Sequence, residues 1–560
     1  MKLGILQFGL VVALFIQGSL GFAQTLPPSV EPGVYDKEFD PKTLPEFKQP
    51  KMAEQTIQKP EKIDGDYEFF LSAVIIQGST IYDEDDFVPL YQDLLSEKVT
   101  FASLQYIADL MTVKYRNDGY VLSRVIIPPQ EAEDGIVYFK VIEGKVEKVL
   151  SSEDSAELTG LMDKYAEKIS KKDVTNTKEL ERYLLLMNDL PGVEVKGTLF
   201  PAQMAGASNV HLKAKEKKLA AKVTIDNWGT RYLGPIQGSV YAVANNLTGK
   251  HEETALRVVK TARSSELRYI ELSEKVPLGT EGTTIEGKFR YSRSQPGSDL
   301  TDLDIKSRSS NATIKIKHPF IRSRTKNLYA WATLEHQQSR VTSFGSKLSE
   351  DRIRLARLGM MFDWVDGYQG ANLFSVESSY GLDVLGASHE GQAGLSRVGG
   401  AGVDFFKTTM DVARLQKVTE NINFLAYLSG QFSSHALLAA EEFGFGGPSF
   451  GRGYDPSEIT GDHGIALKLE AQYNDKTNWD WLKNYQLFAF YDAGVVFNKD
   501  HRPEEPLEKT AASAGFGVRA YFKNDISGSI ELAKPLTRTI LSQGENQKNP
   551  TVFVRLGADF

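Results

Sequence analysis

The sequence predicts a transmembrane β-barrel preceded by two small α+β domains. After residue 23, no stretch of the 560-residue chain approaches the roughly 18 uninterrupted apolar residues that a membrane-spanning helix needs. Helical spacing of apolar residues fades beyond about Leu219, where turn residues recur at short intervals. The chain ends in the alternating segment Thr551–Phe560, which has apolar residues on one face and Arg555 and Asp559 on the other. That pattern is typical of a strand between lipid and a wet interior.

The first 23 residues are predicted to be a secretory signal peptide. Lys2 precedes an apolar run from about Leu10 to Ile16, and Gly21–Ala23 offer small residues for cleavage. An N-terminal membrane anchor is the alternative, but the run is too short to span and a polar, proline-rich sequence follows. We therefore expect the mature chain to begin near Gln24, outside the cytoplasm.

Composition argues against two classes of protein. The net charge is −8, whereas a general nucleic-acid binder needs a basic face that displaces counterions. The chain has no cysteine, so an exported protein of this length must rely on its core or on sheet closure. We expect neither a nucleic-acid partner nor a disulfide framework.

Residues 24–66 are interpreted as a linker. They are rich in Pro, Lys and Glu, with Leu26–Tyr35 near the start. Such a composition cannot bury enough apolar surface to fold alone.

The first α+β domain is predicted for residues 67–149, in the order strand, helix, helix, strand, strand. The β-branched run Ala73–Gly78 is followed by acids at 83–86, which favour a helix start through the helix dipole. Tyr120–Pro129 and Gly135–Gly144 read as two strands around a polar turn. The second helix has an apolar stripe that needs a sheet to cover it. Its members are Leu104, Ile107, Ala108, Met111 and Tyr115.

A second, smaller α+β domain is predicted for residues 150–218. Asp189–Gly192 ends its helix, and Val193–Val195 and Asn209–Ala214 follow as strands. Domains of this type expose sheet edges and helix grooves, the two usual surfaces for capturing an extended peptide. One face of the helix carries Leu180, Leu184, Met187 and Leu190.

The C-terminal region, residues 219–560, is predicted to be the barrel. Ile465–Tyr473 and Phe516–Phe522 alternate between apolar and mostly polar positions. An even, closed set of strands removes the unpaired edges that lipid forbids. Leu328–Leu334 alternates less cleanly, so periodicity alone does not give the number of strands.

The glycine-rich segment Phe443–Tyr454 holds the main candidate site. Arg452 lies among glycines that let the backbone approach other elements and adopt positive φ angles. A buried arginine is tolerated only when an acid pairs with it, and Asp492 is a candidate acid. A charge-assisted bond between the two would hold the loop against a strand, with Tyr454 packed beside it. The alternative is that Arg452 is a solvated loop charge.

These segments resemble the motif pair of the two-partner secretion transporters, the haemolysin/haemagglutinin secretion-activation family of outer-membrane barrels. The resemblance covers nearly the whole mature chain and is strongest at 69–145 and 441–473. This chain departs from the family by having Gly451 where Val is usual. Other matching segments are Gly119–Leu122, Pro128–Gln130, Glu143–Lys145, Asn227–Pro235 and His318–Tyr329.

The resemblance implies a barrel of about 16 antiparallel strands preceded by two polypeptide-transport-associated (POTRA) domains. It implies a plug helix in the pore, within about Glu31–Phe47, where Pro41 and Pro45 interrupt it. The terminal Phe560 resembles the ending that the bacterial barrel-assembly machinery reads. The implied pore-loop motif is Gly451, Arg452, Gly453 and Tyr454, and the implied barrel-wall motif is Phe490, Asp492 and Gly494.

An enzyme is the main alternative from motif matching, because Gly447–Gly451 fits the Gly-x-Ser-x-Gly elbow of α/β-hydrolases. That elbow needs a strand before Ser449 and a helix after it, whereas glycines and Pro448 precede it and Arg-Gly-Tyr-Asp-Pro follows. Only His463 or His501 could complete a Ser, acid, His order. We predict no enzyme activity. Because phosphate-loop, zincin and cysteine-ligand motifs are missing, we also predict no cofactor and no metal.

The resemblance implies a Gram-negative outer-membrane protein with its POTRA domains in the periplasm. It would export and activate a large β-helical exoprotein, recognised through the N-terminal secretion domain of that partner, without ATP. Outer-membrane lipid and, during biogenesis, the barrel-assembly machinery are the other expected partners. The runner-up is an assembly factor of the same superfamily, but two POTRA-like units favour export. A passive porin or adhesive barrel would not need residues 69–218.

Overall fold

The computed structural model has two small α+β domains followed by a closed antiparallel barrel of sixteen strands, as predicted. Within the described part of the chain, no helix has both the length and the apolar character needed to cross a membrane. The expected signal peptide, residues 1–23, lies outside the described residues. These are 26–39, 43–46, 68–152, 159–263, 265–397, 400–500, 506–543 and 548–560.

The first α+β domain packs a helix against a small sheet in the order β2-β5-β4. Thr100 caps the helix by accepting a hydrogen bond from the Ser103 amide, and the predicted apolar stripe is buried. The predicted first helix is instead three short 3-10 turns between Glu84 and Leu94; Pro89 lacks an N–H donor there. The elements are β1 (Phe69–Phe70), β2 (Ala73–Gln77), β3 (Lys98–Val99), α1 (Phe101–Asn117), β4 (Arg124–Ile126) and β5 (Ile136–Ile142).

The second α+β domain has a sheet in the order β6-β8-β7, covered by two helices. Its first strand pairs in parallel with β8. The second domain therefore begins at about Lys145, inside the segment that the sequence assigned to the first. The elements are β6 (Lys145–Ser151), α2 (Leu161–Ser170), α3 (Thr177–Asn188), β7 (Val193–Pro201) and β8 (Ala207–Glu216).

The barrel strands pair with their neighbours in sequence, and β26 pairs with β9 to close the sheet. Closure satisfies backbone groups that lipid cannot. A separate hairpin, β20 (Phe443–Phe445) and β21 (Ile459–Gly461), lies between β19 and β22. The wall strands are β9 (Leu219–Asp226), β10 (Gln237–Asn245), β11 (Glu253–Thr261), β12 (Leu267–Leu278), β13 (Thr283–Ser294), β14 (Lys306–Arg322), β15 (Lys326–Ser343), β16 (Ser346–Val365), β17 (Gly370–Gly381), β18 (Phe406–Lys417), β19 (Ile422–Ser433), β22 (His463–Lys476), β23 (Leu482–Phe497), β24 (Glu508–Phe522), β25 (Ile526–Pro535) and β26 (Thr551–Asp559).

Side chains along the wall alternate between the outer face and the lumen. On β22, Ile465 is 52% exposed whereas Glu470 is 1% exposed, as the period-two pattern predicts. Short turns join the strands at the mouth beside the α+β domains, which we call the domain-side mouth. The long connections, 382–405 and 434–462, lie at the far mouth.

Helix α3 attaches the second domain to the domain-side turns of the barrel. Arg322 donates two hydrogen bonds of 2.7 Å to the carboxylate of Asp189, just after the helix. Within the helix, Glu181 accepts a 2.5 Å hydrogen bond from the Arg324 amide, and Arg182 donates to the Pro319 carbonyl at 3.2 Å. These contacts position the second domain directly under strands β14 and β15.

Candidate functional site

The connection from residue 434 to residue 462, which we call the pore loop, folds from the far mouth into the lumen. Its hairpin and following turns bury five large hydrophobic side chains. Gly451 has φ +76°, and a Cβ there would lie 2.5 Å from the Phe445 ring. Glycine is therefore required at this turn. These five side chains are Phe443, Phe445, Phe450, Tyr454 and Ile459.

The structure brings the predicted pair Arg452 and Asp492 together in the lumen. Arg452 is 2% exposed and Asp492 is 0% exposed. The guanidinium donates from Nε to Oδ2 at 3.0 Å and from Nη2 to Oδ1 at 2.9 Å. The same carboxylate accepts from the amides of Gly451 and Arg452 at 3.1 and 3.0 Å. One wall carboxylate thus holds both the side chain and the backbone of the loop.

Two further groups on the wall hold Arg452, one of which the sequence interpretation missed. Glu470 of β22 accepts a 2.5 Å hydrogen bond from Arg452 Nη1 and a 2.7 Å bond from Arg519. The Phe490 ring lies 3.6 Å from the guanidinium carbon, in a cation–π contact. The alternating pattern of β22 identifies Glu470 as an acid on the polar face of the strand. No local sequence pattern predicts that it contacts the pore loop.

Three other motif residues have steric or hydrogen-bonding roles. Tyr454 donates a 2.9 Å hydrogen bond to the Ala512 carbonyl of β24. A Cβ at Gly453 would lie 2.8 Å from the Ser513 Cβ, so the loop passes against this strand. A Cβ at Gly494 would overlap the Phe445 ring. The motif glycines thus permit close packing of the loop on the wall.

A second buried arginine ties the other far-mouth loops to the pore loop. Arg397, in the 382–405 connection, is 4% exposed. It donates to Asp462 at 2.7 Å and to Glu442 at 3.0 Å, and it also contacts Asp500. Glycines at 391, 394, 399, 400 and 402 surround Arg397 in the sequence, but sequence reasoning did not single it out.

The N-terminal segment lies in the lumen, but not as the expected α-helix. Residues 26–39 contain only the short 3-10 helices Pro28–Val30 and Tyr35–Phe39. The Tyr35 hydroxyl donates to Ser292 of β13 at 3.3 Å, and Ser292 donates to Asp36 at 3.2 Å. Proline removes the N–H donors that an α-helix needs, and the rest of the expected span, apart from residues 43–46, lies outside the described residues.

The remaining predicted residues are placed as follows. Phe560 is 69% exposed, and its amide donates to the Ala221 carbonyl at 2.8 Å. Ser449 lies in the pore loop, with turns rather than a helix after it. The His463 ring accepts from the Ser433 amide at 3.2 Å. His501 lies outside the described residues.

Comparisons with known proteins agree with this architecture. Residues 206–520, more than half of the chain, match the family described as haemolysin secretion/activation protein ShlB/FhaC/HecB. Residues 69–144 match the POTRA domain of ShlB type.

Curated relatives are similar over most of their length. The heme/hemopexin transporter protein HuxB of Haemophilus influenzae is 22% identical over 472 residues, covering 83% of this chain and 82% of HuxB. The outer membrane transporter CdiB of Dickeya dadantii is 23% identical over 487 residues, covering 82% of each chain.

Solved structures share the fold. CdiB from Escherichia coli matches with a TM-score of 0.74 and 21% identity, over 90% of this chain and 92% of that one. CdiB from Acinetobacter baumannii matches with a TM-score of 0.66 and 15% identity, over 97% of this chain and 100% of that one. The chain therefore belongs to the haemolysin secretion/activation family of outer-membrane transporters, in which POTRA domains on the periplasmic side precede the barrel.

Proposed function

We propose that this protein exports a large β-helical partner protein across the outer membrane by two-partner secretion, without ATP. The observation that carries the proposal is a closed barrel, attached to two α+β domains, whose lumen holds a loop by the buried Arg452–Asp492 pair. A passive pore needs no such attachment. Membership of a transporter family supports the same conclusion.

Partner capture is assigned to the α+β domains. The edge strand β7 leaves one side of the second sheet unpaired, and Phe200 at its end is 48% exposed. An extended peptide can add to such an edge through backbone hydrogen bonds, while exposed side chains supply specificity. We infer that the N-terminal secretion domain of the partner binds here in extended form before it enters the barrel.

Passage through the barrel then requires movement of the pore loop and the N-terminal segment. Both occupy the lumen in this structure, and a cavity of about 570 Å³ remains between them and the wall. The cargo would pass in an unfolded state and fold outside, which gives export its direction. Arg452 and Asp492 would hold the loop in the position from which it opens.

The test compares export by the parent with export by Arg452→Ala and Asp492→Ala in a strain that lacks the native transporter. Removing one member of a buried pair typically costs about 3–5 kcal/mol because the other charge is stranded. We expect both variants to insert as heat-modifiable barrels but to secrete much less partner. Normal secretion by both would refute the ion-pair mechanism.

The same strains separate export from barrel assembly. An assembly factor would lower the amounts of unrelated outer-membrane barrels when it is deleted. We expect those amounts to stay unchanged, while the partner accumulates in the periplasm.

A further inference from the structure

The pore loop has a second charged attachment, at Glu441, before the β20 strand. Glu441 ends a 3-10 turn and is 1% exposed. Its carboxylate accepts a 3.0 Å hydrogen bond from Arg357 of β16 and another from Lys407 of β18. Its carbonyl accepts from Lys407 and from Gln431 of β19, both at 3.1 Å. A single residue of the loop thus meets three wall strands.

The wall side of this attachment is itself held in place. Arg357 donates from Nε to Glu335 of β15 at 2.9 Å and from Nη1 to Ser379 of β17 at 2.6 Å. Its guanidinium is therefore oriented by the strands on both sides of it. Because its guanidinium is already oriented, Arg357 binds the Glu441 carboxylate through Nη2 with little further loss of side-chain conformational freedom.

The two attachments lie on different parts of the barrel wall. Glu441 binds strands β16, β18 and β19, whereas Arg452 binds β22 and β23. The strand β20 lies between the two residues in the chain. Breaking the Arg452 contacts alone therefore leaves the beginning of the loop fixed to the wall.

The N-terminal segment contacts the same place. Gly33 has φ +84°, and a Cβ there would lie 3.0 Å from the Cβ of Ala440. Lys37 lines the same cavity as Glu441 and Arg357, where it attracts the Glu441 carboxylate and repels the Arg357 guanidinium. The segment that fills the lumen thus packs against the residue beside the attachment and adds a cation to it.

We propose that Glu441 is a positioning residue that fixes the start of the pore loop to the β16–β19 wall. It forms a second attachment that must open together with the Arg452 attachment. The opening of this attachment during export rests on the proposed function. The attachment itself does not, because it is present in the resting protein. Departure of the N-terminal segment removes the Gly33 contact with Ala440 and the attraction between Lys37 and Glu441.

Pulsed electron paramagnetic resonance on the full-length protein measures the position of the loop without any cargo. Because the chain has no cysteine, spin labels can be placed only at Ser449→Cys, which lines the lumenal cavity, and Thr301→Cys, which is exposed in a far-mouth loop. We expect one narrow distance population in the parent. Glu441→Gln, which keeps the shape but removes the charge, should add a second, displaced population.

Matched variants decide between charge and packing. Asp302→Asn removes an exposed acid from a far-mouth loop and should leave the distances unchanged. Glu441→Asp keeps the charge and should largely restore the narrow population. Arg357→Gln should give the displaced population, and combining it with Glu441→Gln should add little more.

Three results would overturn the proposal. The first is an unchanged distance in Glu441→Gln, and the second is a loss of the narrow population in Glu441→Asp equal to that in Glu441→Gln. The third is an additive displacement when Arg357→Gln and Glu441→Gln are combined. If Glu441→Gln does not insert as a heat-modifiable barrel, Arg357→Gln and Glu441→Asp carry the same comparison. Secretion of the partner is measured separately. A displaced loop in Glu441→Gln together with no export by the parent protein would support the attachment and refute the function. An unchanged loop in Glu441→Gln together with normal export by the parent would do the reverse.

Discussion

At the residue scale, Glu143 organises the first POTRA domain. Its carboxylate accepts hydrogen bonds from the Thr80 and Ile81 amides at 2.8 and 3.0 Å and from the Tyr115 hydroxyl at 2.9 Å. Burial opposes ionisation of the carboxyl, but the hydrogen bonds from Thr80, Tyr115 and Ile81 outweigh it and lower the pKa below its ordinary value of 4.5. The ionised form is therefore part of the fold.

We expect Glu143→Gln to destabilise this domain by about 1–3 kcal/mol, because the Thr80 and Ile81 amides and the Tyr115 hydroxyl lose a charged acceptor. Because the folded-state pKa is lowered, the contribution is fully present above pH 4.5 and is lost as the pH falls through the folded-state value. Hydrogen exchange of residues 69–144 in the full-length protein measures both effects. The exposed Glu131→Gln is the control, and equal protection in the two variants would contradict the prediction.

Gly453 tests how closely the pore loop must pack on the wall. A Cβ there would lie 2.8 Å from the Ser513 Cβ and 2.9 Å from the Pro535 nitrogen, which belong to different strands. We expect Gly453→Ala to displace the loop at a cost of about 1–3 kcal/mol and to reduce export. Gly367→Ala meets no atom within 4 Å and should export normally. Equal export by the two variants would show that the close approach is unimportant.

At the element scale, the contact of α3 with the barrel determines where a captured partner is held. The Asp189–Arg322 pair is bidentate, although Asp189 is 41% exposed. A partly exposed pair of this kind contributes about 0.2–1 kcal/mol. The Glu181 and Arg182 contacts add to it.

We expect Arg322→Ala to raise the rate of backbone hydrogen exchange in Thr177–Asn188. A loss of about 1 kcal/mol of local stability would raise that rate by up to about fivefold. The reason is that α3 loses its bidentate attachment to the β14–β15 turn. Lys196→Ala is the control. The Lys196 side chain is 77% exposed, and its salt bridge is with Glu194 and not with the barrel. Unchanged exchange in Arg322→Ala would mean that the other contacts suffice.

Two elements differ from their sequence-based descriptions for local physical reasons. The N-terminal segment was expected to be helical, but its prolines leave only 3-10 turns among residues 26–39. Strand β15 was hard to recognise because Trp331 faces the lumen, where its Nε1 donates to Glu377 at 2.7 Å, while Leu334 faces outward and is 60% exposed. Apolar residues on both faces obscure the period-two pattern.

At the scale of the whole molecule, the last residue joins the two ends of the barrel. The backbone of Phe560 pairs with Ala221, and Lys217 Nζ donates to its carbonyl at 2.8 Å. The ring is 69% exposed, so it contributes little to packing of the finished barrel. The role in assembly that the resemblance implies for Phe560 stays a prediction.

We expect Phe560→Ala to lower the fraction of chains that assemble, while barrels that do form melt normally. The exposed ring is available to the assembly machinery, whereas the backbone pairing survives the substitution. Heat-modifiable mobility of outer-membrane fractions measures assembly. Phe516→Ala, which removes a ring 61% exposed on β24, is the matched control. An equal loss in the two variants would argue against a terminal signal.

The sequence alone determined the domain order, the barrel and the Arg452–Asp492 pair. The domain order and the barrel follow from periodicity and segment composition, whereas the pairing of Arg452 with Asp492 comes from the family resemblance together with the rule that a buried charge needs a partner. Only the tertiary structure showed that Glu470 of the wall and Glu441 of the loop attach the pore loop, and which wall residues the N-terminal segment contacts. These contacts join residues far apart in the chain, such as Tyr35 and Ser292. They depend on closure of the barrel and on the position of the pore loop within it, which bring together segments that are distant in the sequence.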